Sequence, residues 1–292
     1  MATIEADLQG GAGPAEATIG VWDRLRANRL AVAGLGIIAI LVFFAVFADI
    51  VATQPVAGFF PDQARQPPSS QHWFGTDPLG RDLFSRIVHG ARFSLIIGAV
   101  VTGVSLVIGI TLGGIAGYFG GLADTVVGRG IDIVLGFPAL LGPIIVVTSL
   151  GGSRISVMIA LAAFGWVGMA RLFRSSVISV RNAEFVEAAR ALGASNRRIF
   201  FRHVLPNAIT PTLVYAFALI GSAIISEAAL SFLGLGVQEP EPSWGLMIAK
   251  GRPLLTTAPH MVIFPSLALI FTSLGFILLG DGLRDALDPK LR

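Results

Sequence analysis

Residues 183–206 read AEFVEAARALGASNRRIFFRHVLP and lie between two long apolar runs. The stretch carries Arg190, Arg197, Arg198 and Arg202 against Glu184 and Glu187. Its local signals spell two short helices with a bend between them. Asn182 is a good N-cap for a helix starting at Ala183. Glu184 and Glu187 fall in its first turns, where the helix dipole favours negative charge. Gly193 sits where a left-handed residue would end that helix, and Ser195 can cap the next. Pro206 marks the point where a longer apolar helix takes over. Ala188, Ala189 and Ala191 give the first helix a slim flank that fits a groove on another protein. A helical hairpin lying on lipid, with its Arg side chains at anionic headgroups, fits the same residues.

The flanking runs set the fold class. The chain has 292 residues, 54% hydrophobic and only 13% charged, where a soluble domain carries roughly 25% charged residues. Runs of about 18 or more apolar residues read as membrane spans. Uncharged stretches cover 30–48, 93–123, 133–153, 155–170, 204–226 and 253–280. The expectation is an all-α, polytopic membrane protein with six transmembrane helices. The fourth run is short and borrows a turn on either side. The first is too long for the roughly 7–15-residue core of a signal peptide, so it is expected to be retained.

Loop charge gives the orientation, because Lys and Arg accumulate on the cytoplasmic side of short loops. With the N-terminus inside, the cytoplasm receives Arg24, Arg26, Arg29, Arg129, the seven Arg between 171 and 202, and Arg284, Lys290 and Arg292. The other side keeps Arg65, Arg81, Arg86, Arg92, Arg154, Lys250 and Arg252, half as many. Both termini are therefore expected in the cytoplasm. Residues 1–20 read as a disordered tail, 21–52 as an amphipathic lead-in plus first span, and 284–292 as a second tail. Residues 53–92 form an outer segment, Pro-rich and then helical, with Asp77 before Pro78 as the expected N-cap. The prolines of 236–253 argue against regular helix there.

Within the core, residues 93–283, Gly109, Gly113 and Gly117 recur every four residues, a spacing that lets helix backbones approach closely in lipid. Asp132 could form an interfacial pair with Arg129 or line a path; Glu227 could line a solute path or hydrogen-bond to a neighbouring helix. Pro138, Pro143, Pro206, Pro211 and Pro265 can kink the spans they interrupt.

Several classes are excluded. There is no Cys, hence no disulfide or thiolate-metal site. His72, His89, His203 and His260 are scattered, H-E-x-x-H and G-x-S-x-G are absent, and no catalytic residue or metal site is expected. No basic, aromatic-interleaved face suits a nucleic acid. The phosphate loop G-x-x-x-x-G-K-[ST] is missing as well. A self-contained channel or secondary transporter would predict inverted repeats and paired intramembrane charges, neither of which is visible.

Glu187-Ala188-Ala189, three residues, Gly193, then nine residues to His203 and Leu205-Pro206 resemble the EAA loop of ABC-importer permeases. His203 departs from the general pattern, which often has an apolar residue there. WDRLRANRLAVAGL, FGTDPLGRDLFSRIVHGARFSL, GYFGGLAD, ALSFLGLGVQEPEPSWG and GDGLRDALDPKLR are similar to the dipeptide/oligopeptide/nickel permease family, in its "C" subunit type. The resemblance runs from about residue 21 to the end. It implies a type I importer permease fold, in a bacterial or archaeal cytoplasmic membrane. It implies a heterodimer with a second permease subunit and two cytoplasmic ATPase subunits that hold ATP and Mg. A solute-binding protein would deliver cargo from outside: di- or oligopeptides, with nickel or another small solute as the alternative. Glu187, Ala188, Ala189 and Gly193 would then form the docking helix, with Arg190, Arg197 and Arg198 beside it.

Overall fold

The computed structural model describes residues 21–287. The tail expected over 1–20 and residues 288–292 of the C-terminal tail lie outside the described residues. The described chain is helical: α1 (Val21–Ala27), α2 (Arg29–Val46), α3 (Ala48–Val51), α4 (Leu83–Phe119), α5 (Gly121–Leu135), α6 (Leu141–Leu150) and α7 (Arg154–Arg181). A looped section follows: α8 (Glu184–Ala191), α9 (Asn196–Ile199), a π turn (Phe200–Val204) and α10 (Leu205–Ala208). Then come α11 (Thr210–Phe232), α12 (Trp244–Gly251) and α13 (His260–Leu287).

Five helices, α2, α4, α7, α11 and α13, are long and apolar enough to cross a membrane, not the six expected. The run 133–153 is not one helix. Pro138 cannot donate to a helical ladder, and it disfavours helical backbone at Phe137 before it. Helix α5 therefore stops at Leu135, and α6 resumes for only 10 residues. The other prolines kink less than the sequence implies. Pro206 and Pro211 occupy the first turns of α10 and α11, and only Pro265 lies inside a long helix.

The bundle is built on α4 against α7, α2 against α13, and α11 against α13 and α4. The small-residue stripe sits in the first of these contacts. A Cβ on Gly109 would lie 2.5 Å from the Met169 Cβ, and one on Gly113 2.5 Å from the Ala170 carbonyl oxygen. One on Gly117 would lie 2.8 Å from the Arg174 carbonyl oxygen. With hydrogen at these positions the two backbones close up, and dispersion contacts replace those lost to lipid.

A folded cap of residues 53–82 and α12 closes one end of the bundle. Its hub is Asp82, which is the N-cap of α4 in place of the expected Asp77. Asp82 Oδ2 accepts from the Ser85 amide (2.8 Å) and the Thr53 hydroxyl (3.1 Å), while Oδ1 meets His72 Nδ1 at 2.9 Å. Asp77 instead turns the chain: its Oδ1 accepts from the amides of Leu79 (2.8 Å) and Arg81 (3.0 Å). Gly80, with φ +74°, follows in that turn, so the helix begins only at Leu83. From there α4 runs unbroken into the bundle, merging the expected surface helix with the second span. The second half of the cap also departs from expectation. Once Pro240 and Pro242 are passed, α12 is regular, and its Trp244 is buried with Nε1 donating to the Ile87 carbonyl at 3.0 Å.

An ion cluster joins the two halves of the cap. Arg81 donates to Asp77 (2.6 Å) and Glu239 (2.7 Å), and Lys250 also pairs with Glu239. Burial pushes the Glu239 carboxyl up, but the bonds from Arg81 and Lys250 outweigh it and hold its pKa down at about 2. A depressed carboxylate contributes stability at pH values above its unfolded pKa, 4.5 here. That stability is lost as pH falls from there towards about 2. The cap is therefore expected to stay closed at neutral pH and loosen only in that acid window. Limited proteolysis of residues 236–243 checks this: Glu239→Gln should be cut faster than wild type at neutral pH and converge with it in acid. Equal resistance at neutral pH would remove Glu239 as the clasp.

Candidate coupling surface and the membrane break

At the end of the bundle opposite the cap, α8 to α10 form a bent arm on a buried foot. Helix α8 is N-capped at Ala183 without a side-chain bond, because Asn182 ends α7 instead of opening α8. Glu184 and Glu187 do fall in its first turn. The C-terminus closes as a Schellman turn. Gly193, at φ +80°, donates to the Arg190 carbonyl (3.0 Å), and the Ala194 amide reaches back to Ala189 (3.1 Å). Ser195 then caps α9, its Oγ accepting from the Arg198 amide at 3.4 Å.

The foot is apolar. Val186 of α8, Ile199 of α9, Val204 of the π turn and Ala208 of α10 are fully or almost fully buried. They pack on Phe173 and Val177 of α7 and Tyr118 of α4. Two polar clamps reinforce it. Arg181 Nη1 donates to the Gly117 and Tyr118 carbonyls at the end of α4 (2.9 and 3.0 Å), and the Tyr118 hydroxyl donates to the Asn196 carbonyl (3.2 Å). The arm is thus packed on the paired ends of α4 and α7.

The opposite face of the arm is open and partly apolar. Phe185 is 48% exposed, Leu192 88% and Phe201 58%. Glu187, Ala188, Arg190, Gly193, Arg197 and Arg198 are exposed too, whereas Ala189 turns inward against the foot. An open recess of about 410 Å3, lined by Ser195, Arg197, Arg198 and Phe201, lies beside them. Phe185, Ala188 and Leu192 are exposed together on this face of the arm. The sequence reading missed Phe185 and Leu192. Their spacing with Ala188 (185, 188, 192) is a second helical stripe, and that pattern could have revealed them.

The remaining predicted residues are dispersed. Asp132 and Arg129 are both exposed on α5, and no ion pair joins them among the described residues. The ion pair formed by α5 is Asp124 with Arg174 of α7, whose Nε and Nη2 donate to the two carboxylate oxygens. Glu227 is fully buried in α11. Its Oε1 accepts from Ser231 (2.6 Å) and from Ser243 (2.9 Å) just before α12, so it ties the cap to the bundle. Among the described residues no group of three or more His, Asp or Glu is placed to hold a metal ion.

Residues 109–292 match the family described as binding-protein-dependent transport system inner membrane component, and residues 19–68 match the N-terminal TM domain of oligopeptide transport permease C. The chain belongs to this family of inner-membrane components.

As such a component it is the membrane-embedded permease part of its transport system, a multi-pass helical protein. It is 46% identical over 271 residues to a dipeptide transport system permease protein of Alkalihalophilus pseudofirmus, a match covering 93% of this chain and 89% of the relative. It is 43% identical to a glutathione transport system permease protein of Pectobacterium atrosepticum (93% and 90% covered). It is 42% identical to an oligopeptide transport system permease protein of Bacillus subtilis (92% and 88% covered). In fold it is similar to the MetNI methionine ABC transporter in an inward-facing form, with TM-score 0.57 and 18% identity over 70% of this chain and 97% of that one. A solved amino acid ABC transporter is similar at TM-score 0.54 and 15% identity, covering 68% and 92%.

Proposed function

We propose that this inner-membrane component is the "C" permease subunit of an ATP-driven importer of di- or oligopeptides. It pairs with a second permease subunit, and the exposed face of α8 docks on one of two cytoplasmic ATPase subunits, where ATP and Mg are bound. A solute-binding protein delivers cargo to the cap end. Both termini face the cytoplasm, in keeping with Arg24, Arg26 and Arg29 ahead of α2. The broken pair α5 and α6 supplies the sixth crossing of a type I permease. The observation that carries the reading is the open Phe185–Ala188–Leu192 stripe mounted on a buried foot. Peptide cargo is favoured over nickel because the three relatives described above are named for dipeptide, glutathione and oligopeptide transport.

The mechanism follows from the packing. When the ATPase dimer closes, it pushes α8. Val186 and Arg181 pass the displacement to α7 and α4, which move as one body because the glycine stripe leaves no slack between them. Asp124 and Arg174 carry α5 along. Rigid-body rocking of this kind alternates which end of the path is open. Purification of the chain in detergent should bring down the second permease and both ATPase subunits. Proteoliposomes holding the complex should take up labelled peptide only with ATP inside the ATPase compartment. Uptake that continues without the ATPase subunits would overturn the reading.

A further inference from the structure

Residues 136–140, between α5 and α6, are non-helical and exposed throughout. Helix α5 starts beside the foot and rises about 22 Å, and α6 adds about 15 Å up to the cap end. A gap at that height falls within a hydrocarbon layer of about 30 Å. Irregular backbone facing lipid does not occur there, because its polar groups would go unsatisfied. Here the amides of Ala139 and Leu140 and the carbonyls of Gly136, Phe137 and Ala139 have no hydrogen-bond partner among the described residues. Such a segment must line an aqueous route or be covered by polar groups from elsewhere.

A cavity of about 240 Å3 opens beside this gap, between it and helices α4, α7 and α11. Phe137, Pro143, Phe164, Ser222 and Ser226 are among its lining residues, and none of the lining residues is charged. Phe137 and Phe164 meet edge to face at 6.0 Å on one side. Ser222 is exposed on the other, its hydroxyl bonded only to its own helix at 3.4 Å. Directly behind the wall, the Cβ position of Gly165 is 2.6 Å from the hydroxyl of Ser105, a buried group without a partner.

We infer that the α5–α6 gap, with Ser222 and Ser226, is the site where cargo touches this chain in mid-membrane, and that it reads a peptide through the peptide's main chain. The inference rests on the peptide reading above. Free amides and carbonyls of the gap, where Phe137 and Ala139 line the cavity, complement the carbonyls and amides that every extended peptide repeats, whatever its side chains. The uncharged lining sets no demand on side-chain charge. Neutral hydrogen bonds that replace bonds to water are weak in net terms, so cargo held this way can move on.

The test uses the full complex with its binding protein in proteoliposomes and tritiated trialanine as probe. Phe137 is replaced by the photoreactive residue p-benzoylphenylalanine. Light during turnover should attach tritium to this chain, and only when ATP is present. Photoproduct formed only with lipid or with the second permease, and no tritium on this chain, would overturn the site. A second arm heals the gap with Gly136→Ala and Pro138→Ala together. Import should fall by about ten-fold or more while ATP hydrolysis stimulated by the binding protein persists. Wild-type import by this variant would also overturn the site. Failure of the unmodified complex to import any of a panel of peptides would instead remove the peptide reading, and this inference with it.

Discussion

Gly193→Pro will abolish transport while leaving the chain in the membrane at its normal level. Gly193 sits at φ +80° and donates to the Arg190 carbonyl. Proline holds φ near −65° and has no amide hydrogen, so neither condition can be met. The Schellman turn opens, α8 loses its fixed angle to α9, and Val186 is drawn from the foot. Nothing in the bilayer is touched, so insertion proceeds. Gly193→Ala is the graded control. A Cβ there meets no atom within 4 Å, so only the left-handed backbone is penalised. The cost is about 1–2 kcal/mol, and part of the activity should survive. Uptake in proteoliposomes, set against the amount of chain in the membrane, checks both variants. Normal uptake by the proline variant would detach the arm from transport altogether.

The largest effect on stability is expected from Gly113→Leu. A Cβ at Gly113 alone would lie 2.5 Å from the Ala170 carbonyl oxygen and 3.1 Å from the Ala170 Cα. These are backbone atoms of α7, which no rotamer change can move aside. Overpacking a tight core costs about 1–3 kcal/mol and occasionally more; a clash with backbone belongs at the upper end. The α4–α7 pair should splay, taking the glycine stripe and the Arg181 clamp with it. Thermal unfolding of the detergent-purified complex should shift down by several degrees, or the complex should fail to assemble. Gly103→Ala lies on the same helix where a Cβ meets nothing within 4 Å, and it should behave as wild type. A Gly113→Leu complex as stable as wild type would show that the two helices can separate freely.

Much of this molecule is legible without coordinates. Most long uncharged runs settle in lipid as a helix with its backbone bonds closed internally, and α2, α4, α7, α11 and α13 are legible in this way. Gly193 and Ser195 are equally readable, because left-handed backbone and N-capping are local properties of the residue. The four-residue recurrence of Gly109, Gly113 and Gly117 announces a close helix approach, although only the fold names α7 as the neighbour.

Other features escape a reading in one dimension because two distant segments compete for the same group. Asp77 and Asp82 are both plausible N-caps. Asp82 takes the role because Thr53 and His72 converge on it, while Asp77 is held by its own turn and by Arg81. Glu227 looks like a charge in a membrane until Ser243, sixteen residues on, is seen to bond it. The run 133–153 contains its stop signal, Pro138, yet hydropathy averages over a proline and counts one span where the backbone makes a gap. The chain by itself thus determined which segments must be helical and where the arm bends, since those depend on transfer energies and dihedral preferences of single residues. Which faces of the arm stay open and which carboxylates clasp the cap were decided only by tertiary structure, because each depends on what a distant part of the chain brings within a few ångströms.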